Sequence, residues 1–269
     1  MAPIITLLTD FGVESTYPAQ MKGVILGRCP GAVIVDISHG VPRHDVRTAA
    51  FMLASAASAF PEGTIHVAVV DPQVGSQRRM LAAEAGGCIY LAPDNGLLTL
   101  VAHRELLPCF GGGAARLVAV ENRSFFRTDV SSTFHGRDIF APVAAAVASG
   151  TDIGDLGPPA AGIAQFDFPL PAKADRNIDG RVLYVDPFGN LTTNISKTLL
   201  DGCDPARLKV RVLGAVIRGL SRAYSDVAAG ALLAYVGSAG LLEVAVNRQS
   251  AAARLAADIG TPVSVSLAP

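Results

Sequence analysis

The sequence predicts an α/β N-terminal domain with a mainly parallel central sheet, followed by a smaller, barrel-like all-β C-terminal domain. Up to about residue 165, short apolar runs alternate with amphipathic stretches. Beyond a proline-containing segment without clear periodicity, the remaining chain consists of short apolar runs separated by Gly-rich turns. Alternating strands and helices are typical of a mainly parallel sheet covered on both faces, whereas successive short strands are typical of a small barrel or sandwich.

The change of pattern predicts where the domains meet. Pro169 and Pro171 lie in the segment without periodicity, and the residue before a proline is biased towards extended conformations. We therefore expect residues 1–165 to form the α/β domain, 166–178 an extended linker, and 179–269 the β-barrel domain. The 269 residues are enough for two domains of these sizes.

The predicted elements of the first domain alternate along the chain. Each predicted strand is a short apolar run, and each predicted helix is a longer amphipathic or Ala-rich stretch. Asp45 is a predicted helix N-cap, and Gly150 is the predicted end of the last helix. The predicted strands are 4–10, 32–38, 64–71, 88–93 and 115–121, and the predicted helices are 18–28, 45–60, 96–106 and 136–150.

The second domain is predicted to contain strands only. Its short apolar runs are bounded by turns rich in Gly and Asn, as in hairpins. The predicted strands are 181–186, 191–195, 208–213, 215–220, 232–237, 241–246 and 262–267.

Composition excludes several function classes. Half of the residues are hydrophobic, but charged residues interrupt every apolar run before the roughly 18 residues that span a bilayer. The formal net charge is −1, without the basic stripe of a nucleic-acid-binding protein. The N-terminus lacks the basic region of a signal peptide, and the four scattered cysteines form no CxxC pair. We expect a cytoplasmic protein with free thiols that binds neither membrane nor nucleic acid.

Acidic side chains stand at the ends of three predicted strands. Asp10 ends the first strand, Asp36 and His39 end the second, and Asp71 ends the third. Because ligands of open α/β sheets bind at the carboxyl ends of the strands, these acids predict one site. The alternative is that such carboxylates cap the turns and helices that follow them.

Two further charged residues complete a candidate catalytic set. Arg78 follows Asp71 by seven residues, past a Gly-containing turn that can return it towards the carboxylate. His135, in the segment TFHGRDIFAP, is the side chain most easily poised near neutral pH. An Asp–Arg–His set can orient and activate a small nucleophile, although a lone histidine is as often structural.

Turns of the second domain suit a flat ligand. In DPFGNLTTN, Phe188 can stack on a ring and the Asn190 amide can pair with a purine edge, although a hairpin with a core Phe is the alternative. The loops VGSAG and NRQS offer small residues and free backbone groups. There is no GxGxxG sequence after a strand and no Walker A sequence, so a dinucleotide or nucleoside-triphosphate site is not expected.

These motifs together resemble the S-adenosyl-L-methionine hydroxide adenosyltransferases, relatives of the bacterial fluorinase and chlorinase. The similarity extends from about residue 4 to 255. It rests on the motifs TLLTDFG, MKGVI, VDISHG, FPEGTIHVAVVDP, APDNGLLT, TFHGRDIFAPVAA, DPFGNLTTNI and GSAGLLEVAVNR, in the family's order.

The resemblance implies an enzyme that hydrolyses S-adenosyl-L-methionine (SAM) to adenosine and L-methionine. SAM is then the substrate and no cofactor or metal is required. The resemblance also implies a homotrimer, with each active site between the N-domain of one subunit and the C-domain of the next. The implied catalytic set is Asp71, Arg78 and His135, and Asp10 corresponds to the acid that holds the ribose hydroxyls.

The other implied substrate-binding residues come from the second domain. They are Phe188 and Asn190 in the adenine-binding turn, Ser238 near the methionine carboxylate, Asn247 and Arg248 with their backbone near the adenine edge, and Asp186 for the methionine ammonium.

The sequence departs from the family pattern at two positions. Ser15 stands where TDFGxxDxY carries an acid, with Glu14 adjacent. Gln73, after Pro72, replaces the first Gly of VDPGVG. We expect an altered substrate contact at Ser15. At Gln73 we expect either backbone strain, if the position needs a positive φ, or a tighter pocket.

Three alternative functions remain open from the sequence. A SAM-dependent halogenase is disfavoured because Asp71 would repel a halide. A metal-dependent hydrolase would use Asp10, Asp36, His39 and Asp71 as ligands. A non-catalytic adenosine- or SAM-binding protein would follow if the departures at Ser15 and Gln73 silence the site.

Overall fold

The structure is a computed structural model that describes residues 2–102, 116–167 and 170–267. The described residues form two compact units. The first contains residues 2–102 and 116–166, and the second contains 167 and 170–267.

A six-stranded mixed sheet in the order β2-β1-β3-β5-β4-β6 organises the first unit. The pairs β1–β2, β1–β3 and β3–β5 are parallel, whereas β4 is antiparallel to both β5 and β6. The Ala-rich strand β4 was not expected from the sequence. The strands are β1 Ile4–Thr9, β2 Val33–Ser38, β3 Ile65–Val69, β4 Met80–Ala85, β5 Cys88–Pro93 and β6 Arg116–Ala119.

The helices α1 Tyr17–Arg28 and α2 Val46–Ala57 match the predicted ones closely. Asp45 caps α2, because its side chain accepts a hydrogen bond from the Thr48 backbone N–H. The prediction of one α-helix over 136–150 is wrong, since a π-helical segment, Gly136–Phe140, precedes α4 Ala141–Ala148.

The predicted helix 96–106 is described only in part. The described portion contains the short helix α3 Thr99–Ala102, and residues 103–106 lie outside the described part of the chain. The first residue of the predicted strand 115–121 also lies outside it.

Strand register brings two predicted site residues to the same edge of the sheet. In the parallel pair β1–β3, Thr9 lies opposite Val69. Asp10 directly follows Thr9, and Asp71 follows Val69 by two residues, so both carboxylates leave the sheet at its carboxyl edge. Every residue of β3 is buried, as expected for a strand covered on both faces.

Apolar side chains from the sheet and from α1 and α4 form the core of the first unit. Leu7, Met21, Val67 and Phe140 are fully buried within it. Burying side chains of this size contributes about 1.5–3 kcal/mol each and fixes the strand ends that carry the site.

The second unit is an antiparallel sheet in the order β11-β10-β14-β8-β9-β13-β12, with β7 paired to β8. The two outer strands β11 and β12 contact each other, so the sheet nearly closes into a barrel. Its strands are β7 Ala172–Ala174, β8 Asn177–Val185, β9 Leu191–Ser196, β10 Leu208–Val212, β11 Ala215–Arg218, β12 Leu232–Val236, β13 Leu241–Val246 and β14 Pro262–Leu267.

Strand β7 and the start of β8 fall in the segment that the sequence predicted to be a linker. They form a hairpin in which Ala174 pairs with Asn177. Two short helices, α5 Lys197–Leu200 and α6 Ala251–Leu255, complete the unit. Across the residues that are described, none of the helices has both the length and the apolar character needed to cross a bilayer.

Candidate active site

The loop after β3 folds back so that Arg78 reaches the Asp71 carboxylate. Two successive turns do this, with Val74 N–H donating to the Asp71 carbonyl and Ser76 N–H donating to the Gln73 carbonyl. Arg78 Nε lies 2.7 Å from Oδ1 and 2.6 Å from Oδ2 of Asp71, and Arg78 Nη2 also donates to Oδ2. The two side chains are only 3% and 4% exposed, so the pair is shielded from water.

Arg78 joins His135 to the same cluster. Arg78 Nη2 lies 3.0 Å from His135 Nδ1. Since guanidinium only donates hydrogen bonds, Nδ1 must accept, and the proton of the neutral imidazole is then on Nε2. Burial lowers the pKa of His135, and the Arg78 charge lowers it further against the opposing effect of Asp71 and Asp138. His135 is therefore held neutral, with Nε2–H free to donate.

The segment that carries His135 is anchored by Asp138 and Gly75. Asp138 is fully buried and accepts hydrogen bonds from the Ser131 backbone N–H and from the Arg137 guanidinium. Gly75 has φ +82°, and a Cβ there would lie 2.5 Å from the Ser132 carbonyl oxygen. The loop that carries Arg78 therefore packs directly on the segment that carries His135.

A cavity of about 350 Å³ opens onto this cluster. Asp10, Asp71 and His135 all line it, so the cavity brings together the predicted acids from the ends of β1 and β3. Asp10 Oδ2 accepts a hydrogen bond of 2.9 Å from the His44 backbone N–H. His44, with φ +66°, and Arg43 also line the cavity, and neither was predicted from the sequence to do so.

Aromatic rings form one wall of the same cavity. Phe11, Tyr17 and Phe134 contact one another edge to face, with ring centroids 4.9–5.8 Å apart. Such a wall is apolar and favours the removal of water from the polar cluster beside it.

Asp36 and His39 form a separate cluster. Asp36 lies inside β2, where it pairs with Lys22 at 2.5 Å and with His39 Nε2 at 3.0 Å. Over the described ranges, no three His, Cys, Asp or Glu side chains are grouped so that they could hold a metal ion. The four ligands suggested for a metal-dependent hydrolase are thus not assembled.

The turn between β8 and β9 in the second unit is built around Asp186. Oδ1 of Asp186 accepts hydrogen bonds from the backbone N–H groups of Phe188 and Asn190, and Oδ2 accepts one from Asn190 Nδ2. Phe188 is 79% exposed, so it is not a core residue of the hairpin. Gly189, with φ +80°, packs on Ser250, where a Cβ would lie 2.0 Å from the hydroxyl oxygen.

A cavity of about 450 Å³ lies beside this turn. Its wall combines the ring of Phe188, the amide of Asn190, the hydroxyl-bearing ring of Tyr224 and the backbone of Arg248, which has φ +64°. Gln249 and Ser250, which also line the cavity, belong to the loop NRQS that the sequence predicted to suit a ligand, whereas Tyr224 was not singled out. Tyr224 gave no signal because it lies in a loop without a recognisable motif, and only the fold brings it to Asn190.

Ser238 and Asn247 do not line this cavity. Ser238 is exposed in the tight turn between β12 and β13. The Asn247 side chain donates to the Val227 carbonyl at 2.8 Å, and its backbone bonds to Ala231 and Gly230. Asn247 therefore holds the loop that carries Tyr224.

The two departures from the family pattern occupy unstrained positions. Gln73 is exposed, does not have a positive φ and does not line the cavity, so the expected strain is absent. The Ser15 hydroxyl accepts a hydrogen bond from the Tyr17 backbone N–H at the start of α1. Ser15 thereby holds the first residue of α1, and the altered substrate contact expected at this position stays a prediction.

Comparison with known proteins agrees with both units. Residues 5–157 match the SAM hydroxide adenosyltransferase N-terminal domain, and residues 180–264 match the C-terminal domain of the same family. A relative from Salinispora tropica named (R)-S-adenosyl-L-methionine hydrolase is 40% identical, over 98% of each chain. A fluorinase from Nocardia brasiliensis is 30% identical, over 93% of this chain and 92% of that one.

A solved structure shares the fold. The crystal structure of an uncharacterized conserved protein from Thermotoga maritima superimposes with a TM-score of 0.89 at 35% identity. The match covers 97% of this chain and 99% of that chain.

Proposed function

Because the chain belongs to the SAM hydroxide adenosyltransferase family, we propose that it is a SAM hydrolase that converts SAM and water to adenosine and L-methionine. The observation that carries the proposal is the buried Asp71–Arg78–His135 cluster, which lines a cavity together with Asp10. Relatives of similar length that are named SAM hydrolases support it.

The reaction is a displacement at C5′ of the adenosyl group. The oxygen of water forms a bond to C5′ while the C5′–S bond breaks. The electron pair of the C5′–S bond stays on sulfur, which converts the sulfonium to the thioether of methionine. The site must hold the oxygen about 3 Å from C5′, opposite the sulfur, in a space from which other water is excluded. The apolar wall formed by Phe11, Tyr17 and Phe134 supplies such surroundings.

The three polar side chains take different parts in this step. Arg78 stabilises the developing hydroxide electrostatically, and Asp71 holds the guanidinium in place. His135 donates Nε2–H to the same oxygen, because Nδ1 is occupied by Arg78. Of the three, Asp71 is the side chain that can still accept a proton, so it receives the proton of the attacking water.

The remaining substrate contacts follow the family pattern. Asp10 binds the ribose hydroxyls, Phe188 stacks on adenine and Asn190 pairs with its edge. Asp186 and Ser238 bind the amino-acid end of SAM, and the backbone of Asn247 and Arg248 lies along the adenine. The cavity beside Phe188, Asn190 and Tyr224 is of a size and polarity that suit a purine ring.

The assembly is a homotrimer in which the N-domain of one subunit and the C-domain of the next form each active site. Each unit by itself carries only part of the proposed contacts, which supports this arrangement. The enzyme works without metal or cofactor in the cytoplasm, and the free thiols of Cys29, Cys88 and Cys203 suit a reducing compartment.

Halide transfer is the second candidate, because a fluorinase is among the relatives. A halide would occupy the position of the attacking oxygen, next to the buried Asp71 carboxylate. The halide and the Asp71 carboxylate are both negatively charged, and neighbouring like charges repel each other strongly when shielded from water. The site is therefore much better suited to water than to halide.

Incubation of the purified protein with SAM tests the proposal. Products are identified by chromatography with and without chloride and with and without a chelator. Adenosine and methionine in equal amounts, unaffected by either addition, are expected. A 5′-halo-adenosine would instead indicate a halogenase, and no product with retained adenosine binding would indicate a binding protein.

A further inference from the structure

A one-way chain of hydrogen bonds runs behind the cavity of the second unit. Asn190 Nδ2 donates to the Tyr224 hydroxyl at 3.1 Å, the Tyr224 and Tyr235 hydroxyls are 2.7 Å apart, and Tyr235 donates to Glu243 Oε2 at 2.5 Å. Tyr235 and Glu243 face each other directly across β12 and β13. The chain thus connects a strand pair of the barrel to the cavity wall.

The chemistry of the two ends sets the direction of the chain. Tyr235 donates to Glu243 Oε2, so the Tyr235 proton points to Glu243. Burial and the Asp186 charge raise the pKa of Glu243, and the hydrogen bond from Tyr235 opposes this by stabilising the carboxylate. Burial raises the pKa of Tyr235, as do its hydrogen bonds to Glu243 and Tyr224, so this hydroxyl keeps its proton. Tyr235 must then accept from Tyr224, and Tyr224 must accept from Asn190.

The other proton of the Asn190 amide is also engaged. Nδ2 lies 2.8 Å from Asp186 Oδ2, and a carboxylate requires the nitrogen rather than the oxygen of the amide on that side. Both protons on Nδ2 are therefore used, and the Tyr224 proton points away from the cavity. On the side of the cavity formed by Asn190 and Tyr224, the polar side chains can only accept hydrogen bonds from a ligand, through Asn190 Oδ1 and the Tyr224 oxygen. The rest of the lining, at Arg248, Gln249 and Ser250, also carries donors.

The acceptor-only side formed by Asn190 and Tyr224 distinguishes among purines that present position 6 to it. In adenosine the exocyclic 6-amino group is the only hydrogen-bond donor of the base, whereas inosine presents the 6-oxo acceptor at that position and carries its donor on N1. A mismatch of this kind leaves two acceptors facing each other, and buried unpaired groups are the strongest basis for rejecting a related ligand.

We propose that Glu243, acting through Tyr235 and Tyr224, is a positioning residue that keeps the Asn190–Tyr224 side of the cavity acceptor-only and thereby selects a 6-amino purine over a 6-oxo purine. The inference rests on the proposed function, because it assumes that the cavity receives the adenosine moiety. It adds two residues, Tyr235 and Glu243, that lie outside the substrate contacts assigned above.

Binding of adenosine and inosine, measured by calorimetry, tests the inference. The wild-type protein is expected to bind adenosine about tenfold more tightly than inosine, or more. In Tyr235→Phe the Tyr224 proton is released towards the cavity and can donate to the 6-oxo group. The ratio of adenosine affinity to inosine affinity is therefore expected to fall to about one third of its wild-type value or less. Glu243→Gln retains an acceptor oxygen and is expected to keep the wild-type ratio.

Two controls separate selectivity from a general loss of structure. The double variant Tyr224→Phe, Tyr235→Phe lacks the released hydroxyl and is expected to lose the gain in inosine binding. Tyr90→Phe, a matched change in the core of the first unit, is expected to leave the ratio unchanged. Thermal unfolding of each variant shows whether it is folded.

The outcomes distinguish failure of the inference from failure of the proposed function. If the wild-type protein hydrolyses SAM but Tyr235→Phe keeps the full preference for adenosine, the relay is not the source of selectivity and the inference is overturned. The same holds if wild-type binding shows no preference. If the wild-type protein releases no adenosine from SAM, the proposed function itself fails.

Discussion

Nη2 of Arg78 lies 3.0 Å from Nδ1 of His135, and this contact determines which imidazole nitrogen carries the proton. An arginine cannot accept, so Nδ1 is the acceptor and the proton lies on Nε2, which donates to the reacting oxygen in the proposed mechanism. His135 is therefore a hydrogen-bond donor in the ground state. In this arrangement it does not act as the base.

The donor role of His135 predicts a difference between two amide substitutions. In His135→Gln, the amide N–H can replace Nε2–H, whereas the shorter His135→Asn reaches only the position of Nδ1. We expect His135→Gln to retain roughly ten times more kcat than His135→Asn, since one hydrogen bond to a charged group is worth about 1.5–3 kcal/mol. Steady-state rates of SAM hydrolysis measure this, and equal inactivity of both variants would favour a proton-accepting His135.

The pH profile of the wild-type enzyme follows from the same environment. Burial and the Arg78 charge hold the pKa of His135 below its ordinary value of 6.5. The neutral imidazole therefore persists on acidification through that pH, and kcat is expected to stay level there and to fall only at lower pH. An acid limb centred at or above the ordinary histidine pKa would contradict this.

Asp71→Asn removes the charge that fixes Arg78 and that accepts the proton in the proposed mechanism. We expect kcat to fall by about 100-fold to 1,000-fold, as when one preorganised group of an active site is lost, while calorimetric adenosine binding changes little. Asp152→Asn, at an exposed ion pair with Arg116, is the matched control and should keep normal activity. An unchanged rate in Asp71→Asn would remove Asp71 from the mechanism.

Gly75→Ala tests the packing of the two catalytic segments. A Cβ at Gly75 would meet the Ser132 carbonyl oxygen at 2.5 Å, whereas Gly63 has the same φ of +82° and nothing within 4 Å. Gly63→Ala should therefore cost about 1 kcal/mol of backbone strain alone, and Gly75→Ala about 2–3 kcal/mol with a reduced kcat. Urea unfolding and kinetics of both variants decide this, and equal losses of stability would mean that the contact with Ser132 does not matter.

Stability is expected to decline in mild acid because of His66, which stacks on Tyr90 in the core of the first unit. Burial lowers the pKa of His66 from 6.5 to about 4. Between pH 6.5 and about pH 4 the unfolded state binds more protons than the folded state. The contribution of His66 to stability is therefore fully present above pH 6.5 and is lost as the pH falls towards about 4. Over this pH range the free energy of unfolding is expected to decrease by about 3 kcal/mol.

His66→Phe removes this titration. Its free energy of unfolding, measured in urea, should depend less on pH between 7 and about 4, even if the loss of the hydrogen bond to Thr6 lowers it at every pH. A wild-type pH dependence that is unchanged in His66→Phe would show that other groups cause the acid instability.

Part of the site could be predicted because it depends on local pattern. Asp10 and Asp71 follow short buried strands, and the register of β1 against β3 brings them to one edge. Phe188 and Asn190 lie in a turn whose chemistry is visible in the sequence, and the Asp186 side chain builds that turn from within it.

Other features depend on contacts between distant segments. Strand β4 is Ala-rich and has weak strand propensity, so its place in the sheet comes from pairing with β5 and β6. The π-helical segment after His135 follows no sequence periodicity. Tyr224 and Glu243 are joined only through the barrel, and no local motif indicates that they share a network.

The most direct test of the central claim is hydrolysis of SAM in ¹⁸O-labelled water with mass spectrometry of both products. Attack of water on C5′ predicts one ¹⁸O atom in adenosine, at the 5′ oxygen, and none in methionine. Unlabelled adenosine, or label in the amino-acid product, would contradict displacement at C5′ by the water held between Arg78 and His135.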